Sequence, residues 1–410
     1  MRRNFVVFVL VLCIAGMAIS ETVYTKRKSN YVREGPGSYY DLIAVVPENT
    51  ALEVLGKSPG WIKVKAPKKD GWLAENCISA AKMKGASTVP IENIWASPKA
   101  SRAGISAAIK GFAEKHGKTD PGNVDLILKN STGKFTDAEF SAFKAELHKS
   151  APGRESPVSL KDLNLGTVEY NAGIPEQEVG LGIAARLAGK GLLNNAGLVQ
   201  YANLICATIA EKSTAYDWDF TVLIVDDKAM NGFAVPGGYI FLTLGALRLC
   251  SDESELAGMI AHEMAHVIRG HGLQEMSKRI ANIKSDAAFA ELDEEVGEKS
   301  PEEADLEELM QQTYEKIVSP RLLSYELEAD RIAAVLCATA GYDPSGLARI
   351  SGKMARIPRE KPDIYDPGYM AADDLGERAK TIDAFVKEEF AGFQAARMPE
   401  RYAQRTASLR

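Results

Sequence analysis

The segment His262-Glu263-Met264-Ala265-His266 constrains this chain more than any other feature of its sequence. The chain has only five histidines in 410 residues, and two of them fall four residues apart with a glutamate directly after the first. On a helix the two imidazoles lie one turn apart on one face and can bind one metal ion. Glu263, about 100° further round the helix, can then reach a metal-bound water as a general base.

The flanking residues predict the helix that this geometry requires. Apolar residues recur at the three- and four-residue steps of an amphipathic helix: Leu256, Met259, Ile260, Met264 and Val267. Ser251-Asp252-Glu253 supplies a capping residue and acids that suit the positive end of a helix. Gly270 and Gly272 are placed where the helix should stop. The alternative is two surface histidines beside an acid on an ordinary amphipathic helix.

A catalytic zinc site normally takes three protein ligands and leaves a fourth position for water. His271 follows His262 by nine residues, which puts it about 180° round a continuous helix. We therefore expect His271 to interact with carbonyl groups at the helix end rather than with the metal. His116 and His148 lie in polar, charged stretches and are expected to be solvated. The remaining candidates for the third ligand are carboxylates.

The best-placed carboxylates lie in Ser324-Tyr325-Glu326-Leu327-Glu328-Ala329-Asp330, which opens an apolar helical run. Glu326 and Asp330 are four residues apart and share a helix face, whereas Glu328 points elsewhere. One of the pair can bind the ion while the other orients a ligand imidazole. The spacing does not decide between them, and acids at helical intervals often form only a solvated face.

The two motifs together, His262-Glu263-x-x-His266 and Glu326-x-x-x-Asp330, resemble those of the HtpX-like zinc peptidases, which are gluzincins. A third segment, residues 231–241, resembles the strand that lies beside the active-site cleft in that family. The resemblance covers roughly residues 165–385, with the three segments in the expected order.

The resemblance implies a zinc metalloendopeptidase that binds one Zn²⁺ per chain and hydrolyses protein or peptide substrates. It makes Glu326 the third ligand beside His262 and His266, and Asp330 the group that orients a ligand imidazole. Glu263 would act as the general base that takes the proton of the attacking water. The alternative is a chaperone-like or cell-wall-binding module with a latent or structural zinc site. An intact Glu263 favours the enzyme, because a structural site needs no base beside the metal.

The sequence departs from the family near the C-terminus. Some periplasmic relatives carry a histidine shortly before a late arginine, but residues 371–378, which end at Arg378, contain none. Two roles for Arg378 remain open, stabilising the transition state or anchoring a helix, and the second is favoured.

The N-terminus predicts export. Arg2 and Arg3 precede an apolar run over residues 5–19, and Ala18-Ile19-Ser20 forms a cleavage site of the small-x-small type. The run is shorter than the ~20 residues of a membrane span. We therefore expect a cleaved signal peptide at residues 1–20, an extracytoplasmic location, periplasmic in a bacterium, and no membrane span in the mature chain. The formal charge of −6 is not that of a nucleic-acid-binding protein, which is typically basic.

Residues 21–80 predict a small all-β unit. The sequence predicts short strands at residues 42–46, 51–55, 61–65 and 71–73. Turns are predicted between them. The stretch resembles bacterial SH3-type domains, which often contact cell-wall peptides. Trp61 and Trp72 fit a core role and a binding role equally well.

The predicted fold class is α+β, a helix-rich zincin metallopeptidase domain behind a small all-β SH3-like barrel. We assign the metallopeptidase domain to residues 166–400 and a linker to residues 81–165. Within the linker, Thr136-x-x-Glu139 forms a capping box with Phe135 and Phe140 as a hydrophobic staple, which predicts a small helix.

An acidic helical insertion at residues 285–315 separates the two metal motifs, with twelve acids against one base. It fits two exposed amphipathic helices or a lid over the cleft. Four cysteines outside the signal peptide allow three fully paired connectivities, and no pairing is predicted among Cys77, Cys206, Cys250 and Cys337.

Overall fold

The computed structural model describes residues 21–82, 127–163, 174–271 and 322–409, apart from residues 28–29, 67–68, 128, 132, 152–154, 190 and 368–369. Three predictions therefore fall outside the described residues: the signal peptide, the acidic insertion at 285–315, and most of the linker.

The N-terminal part of the chain is an antiparallel β-sheet of seven strands in the order β3-β2-β6-β5-β4-β1-β7. The strands are β1 (Thr22–Thr25), β2 (Asn30–Arg33), β3 (Leu42–Val46), β4 (Ala51–Ser58), β5 (Trp61–Val64), β6 (Gly71–Ala74) and β7 (Ile78–Ser79). The four predicted strands are β3 to β6. Alternating apolar residues of these strands enclose a small core of their own, which confirms the predicted SH3-like all-β unit.

The C-terminal part is helix-rich. Its helices are α1 (Asp137–Ser150), α2 (Ile174–Ala188), α3 (Ala196–Glu211), α4 (Leu244–Leu249), α5 (Glu253–Ile268), α6 (Leu323–Ala340), α7 (Ser345–Met354), α8 (Ile357–Glu360), α9 (Ala372–Glu389) and α10 (Pro399–Arg405). A small sheet holds β8 (Thr221–Val225), β9 (Gly232–Val235) and β10 (Tyr239–Thr243) in the order β8-β10-β9. The α+β class is confirmed.

The predicted start of α1 is confirmed in detail. The Thr136 hydroxyl accepts a hydrogen bond from the Glu139 backbone N–H at 3.2 Å, and the Glu139 carboxylate accepts one from the Thr136 N–H at 2.7 Å. The rings of Phe135 and Phe140 lie 5.3 Å apart across this capping box, as a hydrophobic staple requires.

The β-unit packs directly against the helical part. Asp217, in the loop between α3 and β8, accepts hydrogen bonds from Arg27 Nη1 at 2.5 Å and from Asn76 Nδ2 at 2.9 Å. Trp61 is 5% exposed and meets the neighbouring Tyr216 edge-on, with ring centroids 5.8 Å apart. Trp61 is therefore a core and interface residue, whereas Trp72 is only half-buried.

Helix α5 lies at the centre of the helical part. It packs against α6, α7, α3 and β9, and every residue from Glu253 to Val267 is buried. Its predicted boundaries are confirmed, since Asp252 caps the first turn and the helix ends at Ile268. Contact between α5 and α6 brings the two predicted metal motifs together. Among the described residues, no helix is both long and apolar enough to cross a membrane.

Because α5 is buried, the acids of its first turn need partners inside the protein. The Glu253 carboxylate is fully buried and accepts hydrogen bonds from Tyr201 Oη at 2.7 Å, Tyr342 Oη at 2.9 Å and Arg401 Nε at 2.7 Å. Burying a carboxylate is costly unless it is paired and hydrogen-bonded. These contacts tie α5 to α3, to the loop after α6, and to α10.

We predict that Arg401→Met lowers the free energy of unfolding by about 3 kcal/mol, because the charge of Glu253 stays buried without its cation. Urea denaturation of the whole chain measures the change. The matched control is Lys387→Met, which removes an exposed ion pair with Asp383 and should cost less than about 0.5 kcal/mol. Equal losses in the two variants would contradict the assigned role of Glu253.

Candidate metal site

The three predicted ligands meet between α5 and α6. His262 Nε2 and His266 Nε2 lie 3.1 Å apart, and each lies 3.1 Å from an oxygen of the Glu326 carboxylate. All three side chains are buried. Within the described part of the chain, no other three His, Cys, Asp or Glu side chains are grouped so that they could hold a metal ion.

The chemistry of this trio fits a divalent metal. Tetrahedral zinc with nitrogen and oxygen ligands at 2.0–2.2 Å places those ligand atoms roughly 3.3 Å from one another, close to the 3.1 Å separations observed. Two imidazole lone pairs and a carboxylate facing one another in a buried space repel. A cation between them removes that repulsion.

Asp330 lies one turn after Glu326 on α6 and backs the first histidine. Its Oδ1 is 2.8 Å from His262 Nδ1, the position in which a carboxylate accepts the Nδ1–H of a metal-binding imidazole. Burial would raise the pKa of Asp330, but Arg378 and His262 outweigh burial and hold that pKa below its ordinary value. The Asp330 carboxylate is therefore ionised.

Arg378 of α9 lies next to the trio and contacts two acids of α6, Glu326 and Asp330. Its Nε and Nη2 donate to Asp330 at 2.7 and 2.8 Å, and its Nη1 lies 2.9 Å from Glu326 Oε2. The guanidinium is 2% exposed. Its Nη2 also lies 3.0 Å from His262 Nδ1. These contacts are with protein side chains, which favours the anchoring role of Arg378 over a role in the transition state.

Glu263 lies against strand β9. A Cβ atom added to Gly232 would be 2.7 Å from Glu263 Oε1, so the carboxylate occupies the space that any larger residue at position 232 would take. Residues 231–241 form β9, a 3₁₀ turn at Pro236–Gly238 and β10, with β9 and β10 antiparallel. The segment resembling the strand beside the cleft is thus two strands of the small sheet, and β9 lies at the sheet edge.

His271 does not lie where the helical projection places it. Helix α5 ends at Ile268, and Gly270 has a φ of +58°, which turns the chain back. The Nδ1 atom of His271 lies 2.9 Å from the Nδ1 atom of His266. We had expected this ring to contact a carbonyl group at the helix end instead. The projection was wrong because it continued the helix past its end. Burial and the neighbouring His266 lower the pKa of His271 to about 3, so this imidazole is neutral.

The remaining candidates lie apart from the trio. Glu328 is paired with Arg269 and lies near His271, on a different side of α6 from Glu326, as its spacing predicts. His148 is exposed on α1, and His116 lies outside the described residues. The four cysteines after the predicted signal peptide are buried and unpaired.

The fold and this trio are those expected of one class of protein, a metallopeptidase with candidate ligands on two packed helices. Residues 200–391 match the model of Peptidase family M48, and residues 29–79 match that of the bacterial SH3 domain. The C-terminal part of the chain is therefore similar to peptidase family M48, and a bacterial SH3 domain precedes it.

The chain is also similar in sequence to several proteases. The chain is 27% identical over 215 residues to a putative beta-barrel assembly-enhancing protease of Vibrio cholerae, covering 50% of this chain and 43% of the relative. It is 26% identical over 178 residues to the beta-barrel assembly-enhancing protease of Escherichia coli K12, covering 42% and 36%. It is 28% identical over 161 residues to the mitochondrial metalloendopeptidase OMA1 of Arabidopsis thaliana, covering 39% and 28%. The chain thus spans less than half the length of these relatives.

We predict that Glu326→Gln lowers the zinc content of the purified chain well below that of the wild type, because a neutral amide is a poor zinc ligand. Elemental analysis after dialysis measures the content, and circular dichroism checks that the variant is folded. Glu211→Gln is the control, because its carboxylate is largely exposed and pairs with Lys144 instead. Full zinc occupancy in Glu326→Gln would place the third ligand elsewhere.

Proposed function

We propose that this protein is an exported zinc-dependent endopeptidase. One observation carries the proposal, the buried convergence of His262, His266 and Glu326 with Glu263 next to the first ligand on the same helix. A structural site has no use for that glutamate. Similarity to family M48 supports the same reaction class.

The residues of the site divide the work between them. His262, His266 and Glu326 would hold one Zn²⁺, which when bound lowers the pKa of a ligand water towards ~7 and polarises the scissile carbonyl. Glu263 takes a proton from the attacking water at a carboxylate oxygen and passes it to the leaving amine. Asp330 keeps the proton of His262 on Nδ1, and so holds this ring in the tautomer that presents Nε2.

The place of action follows from the N-terminal segment and from the relatives. A signal peptide at residues 1–20 would deliver the enzyme outside the cytoplasm, to the periplasm of a bacterium. Two relatives are named for enhancing the assembly of β-barrel proteins. We infer that the substrates are misfolded or misassembled proteins of the cell envelope, cleaved as part of envelope quality control.

The SH3 domain would supply a second contact, with cell-wall peptides. Of its two candidate tryptophans, Trp61 is buried against Tyr216, and Trp72 retains accessible surface. Trp72 is therefore the aromatic side chain that we assign to such a contact. Because the domain is packed on the helical part through Asp217, a wall contact would hold the peptidase site close to the wall.

We predict that Glu263→Gln abolishes casein hydrolysis while one zinc per chain remains bound. A neutral amide keeps the shape of the side chain but cannot accept a proton, and the loss of a general base costs about 10²–10⁴-fold in rate. Zinc content and hydrolysis are measured together on wild type and variant. Equal hydrolysis by both would remove Glu263 from the mechanism. Zinc in both without hydrolysis in either would instead favour a latent enzyme or a chaperone-like binding module.

We predict that Gly232→Ala impairs hydrolysis without unfolding the protein. The new Cβ would lie 2.7 Å from Glu263 Oε1, and the mobile carboxylate must move because the strand backbone cannot. A displacement of about 1 Å at a reacting group can cost up to ~10²-fold in kcat/KM.

The matched control for Gly232→Ala is Gly352→Ala on α7, where an added Cβ would meet nothing within 4 Å. This change should leave kcat/KM unchanged and stabilise α7 slightly, because alanine favours a helix. Zinc content should equal that of the wild type in both variants. An unaltered kcat/KM in Gly232→Ala would show that the position of Glu263 is not critical.

A further inference from the structure

The two histidines of the trio are supported by different partners. A metal-binding imidazole presents one bare nitrogen to the ion and donates its other N–H to an acceptor, which fixes the ring. For His262 that acceptor is Asp330, 2.8 Å from Nδ1. For His266 the atom facing Nδ1 is His271 Nδ1, at 2.9 Å. The second ligand is thus backed by another imidazole.

The positions of the protons on these two rings follow from their neighbours. Glu328 Oε1 lies 3.5 Å from His271 Nε2 and also accepts from Arg269. A carboxylate only accepts hydrogen bonds, so Nε2 of His271 presents an N–H to Glu328. Of the two Nδ1 atoms, 2.9 Å apart, only one can carry a proton, and a His266 that binds metal through Nε2 keeps that proton on its own Nδ1, which leaves none on Nδ1 of His271. Its Nδ1 is then a lone-pair acceptor, which receives the Nδ1–H of His266. The Nε2 atom of His266 is left bare toward His262 and Glu326.

His271 is held in place on several sides. Its ring stacks on Tyr325 of α6, with centroids 4.4 Å apart and an interplanar angle of 10°. The side chain is 5% exposed, and the left-handed turn at Gly270 brings it back over the end of α5. A ring so placed cannot rotate freely, so its Nδ1 stays directed at His266.

We propose that His271 is a positioning residue, which accepts the Nδ1–H of His266 and thereby directs His266 Nε2 at the metal. This inference deepens the proposed function and rests on it, because it takes His266 to be a ligand. His271 itself stays outside the group of ligand atoms. It acts on the metal only through the orientation and tautomer of its neighbour.

Two substitutions separate the hydrogen bond from the packing. His271→Phe keeps an aromatic ring that can stack on Tyr325 but has no acceptor. His271→Asn places an amide oxygen near the former position of Nδ1, where it can accept from His266. The dissociation constant for zinc is measured on the full chain by competition with a chelator, and thermal unfolding of the metal-free variants reports any general loss of stability.

We expect His271→Phe to bind zinc about 10–100-fold more weakly than the wild type, and His271→Asn to stay within roughly 3-fold of it. Equal affinity in wild type and His271→Phe would overturn the inference, as would equal losses in both variants. If the wild type binds no zinc, both this inference and the proposed function fail. If zinc binds as expected but wild type lacks hydrolysis, only the proposed function fails.

Nuclear magnetic resonance gives an independent test. Long-range ¹H–¹⁵N spectra of the zinc-loaded chain with labelled histidine distinguish the two neutral tautomers, and only five histidines contribute signals. We expect a proton on Nε2 of His271 and on Nδ1 of His266. A proton on Nδ1 of His271 would overturn the inference, because that atom could not then accept.

Discussion

The partnering of buried charge on α5 is the constraint on which the rest of this structure depends. The helix is buried from its first turn to its last, yet it carries acids at one end and the histidine motif at the other. Each ionised group must find a partner inside the protein, because an unpaired buried charge costs several kcal/mol. The elements around α5 are placed so that they supply those partners.

The N-terminal half of α5 is fixed by basic residues from the C-terminal helices. Arg349 of α7 binds Asp252 at 2.8 Å, and Arg401 of α10 binds Glu253. These contacts also suit the positive end of the helix, where acids are favourable. The other half of α5 thus follows an anchored first turn, and its candidate ligands have separate contacts, His262 with Asp330 and His266 with His271. The N-terminal half of α5 thus anchors the helix, and its C-terminal half carries the histidine motif.

Local patterns predicted the elements well, and long-range contacts were beyond them. The spacing of His262 and His266, the cap at Asp252 and the box at Thr136 are features of neighbouring residues, and the structure has the helices they indicate. The contact between Gly232 and Glu263 joins a strand to a helix, so no periodicity signals it. His271 was misplaced because its position depends on the turn after α5. Gly270 predicts that the chain turns at this position, but it does not predict in which direction the chain continues.

The charges around the trio are suited to a bound cation. Among Glu326, Asp330 and Arg378, two buried carboxylates face one guanidinium, so the acids outnumber the base. A divalent ion held by the trio would compensate this excess of negative charge, and Glu263 follows the first histidine on the same helix. The neutral His271 that contacts His266 adds no charge to the site. A carboxylate at the same position would add a negative charge. Under the proposed function, an uncharged support would leave more of the positive charge of a bound zinc uncompensated, which favours loss of a proton from its water near neutral pH.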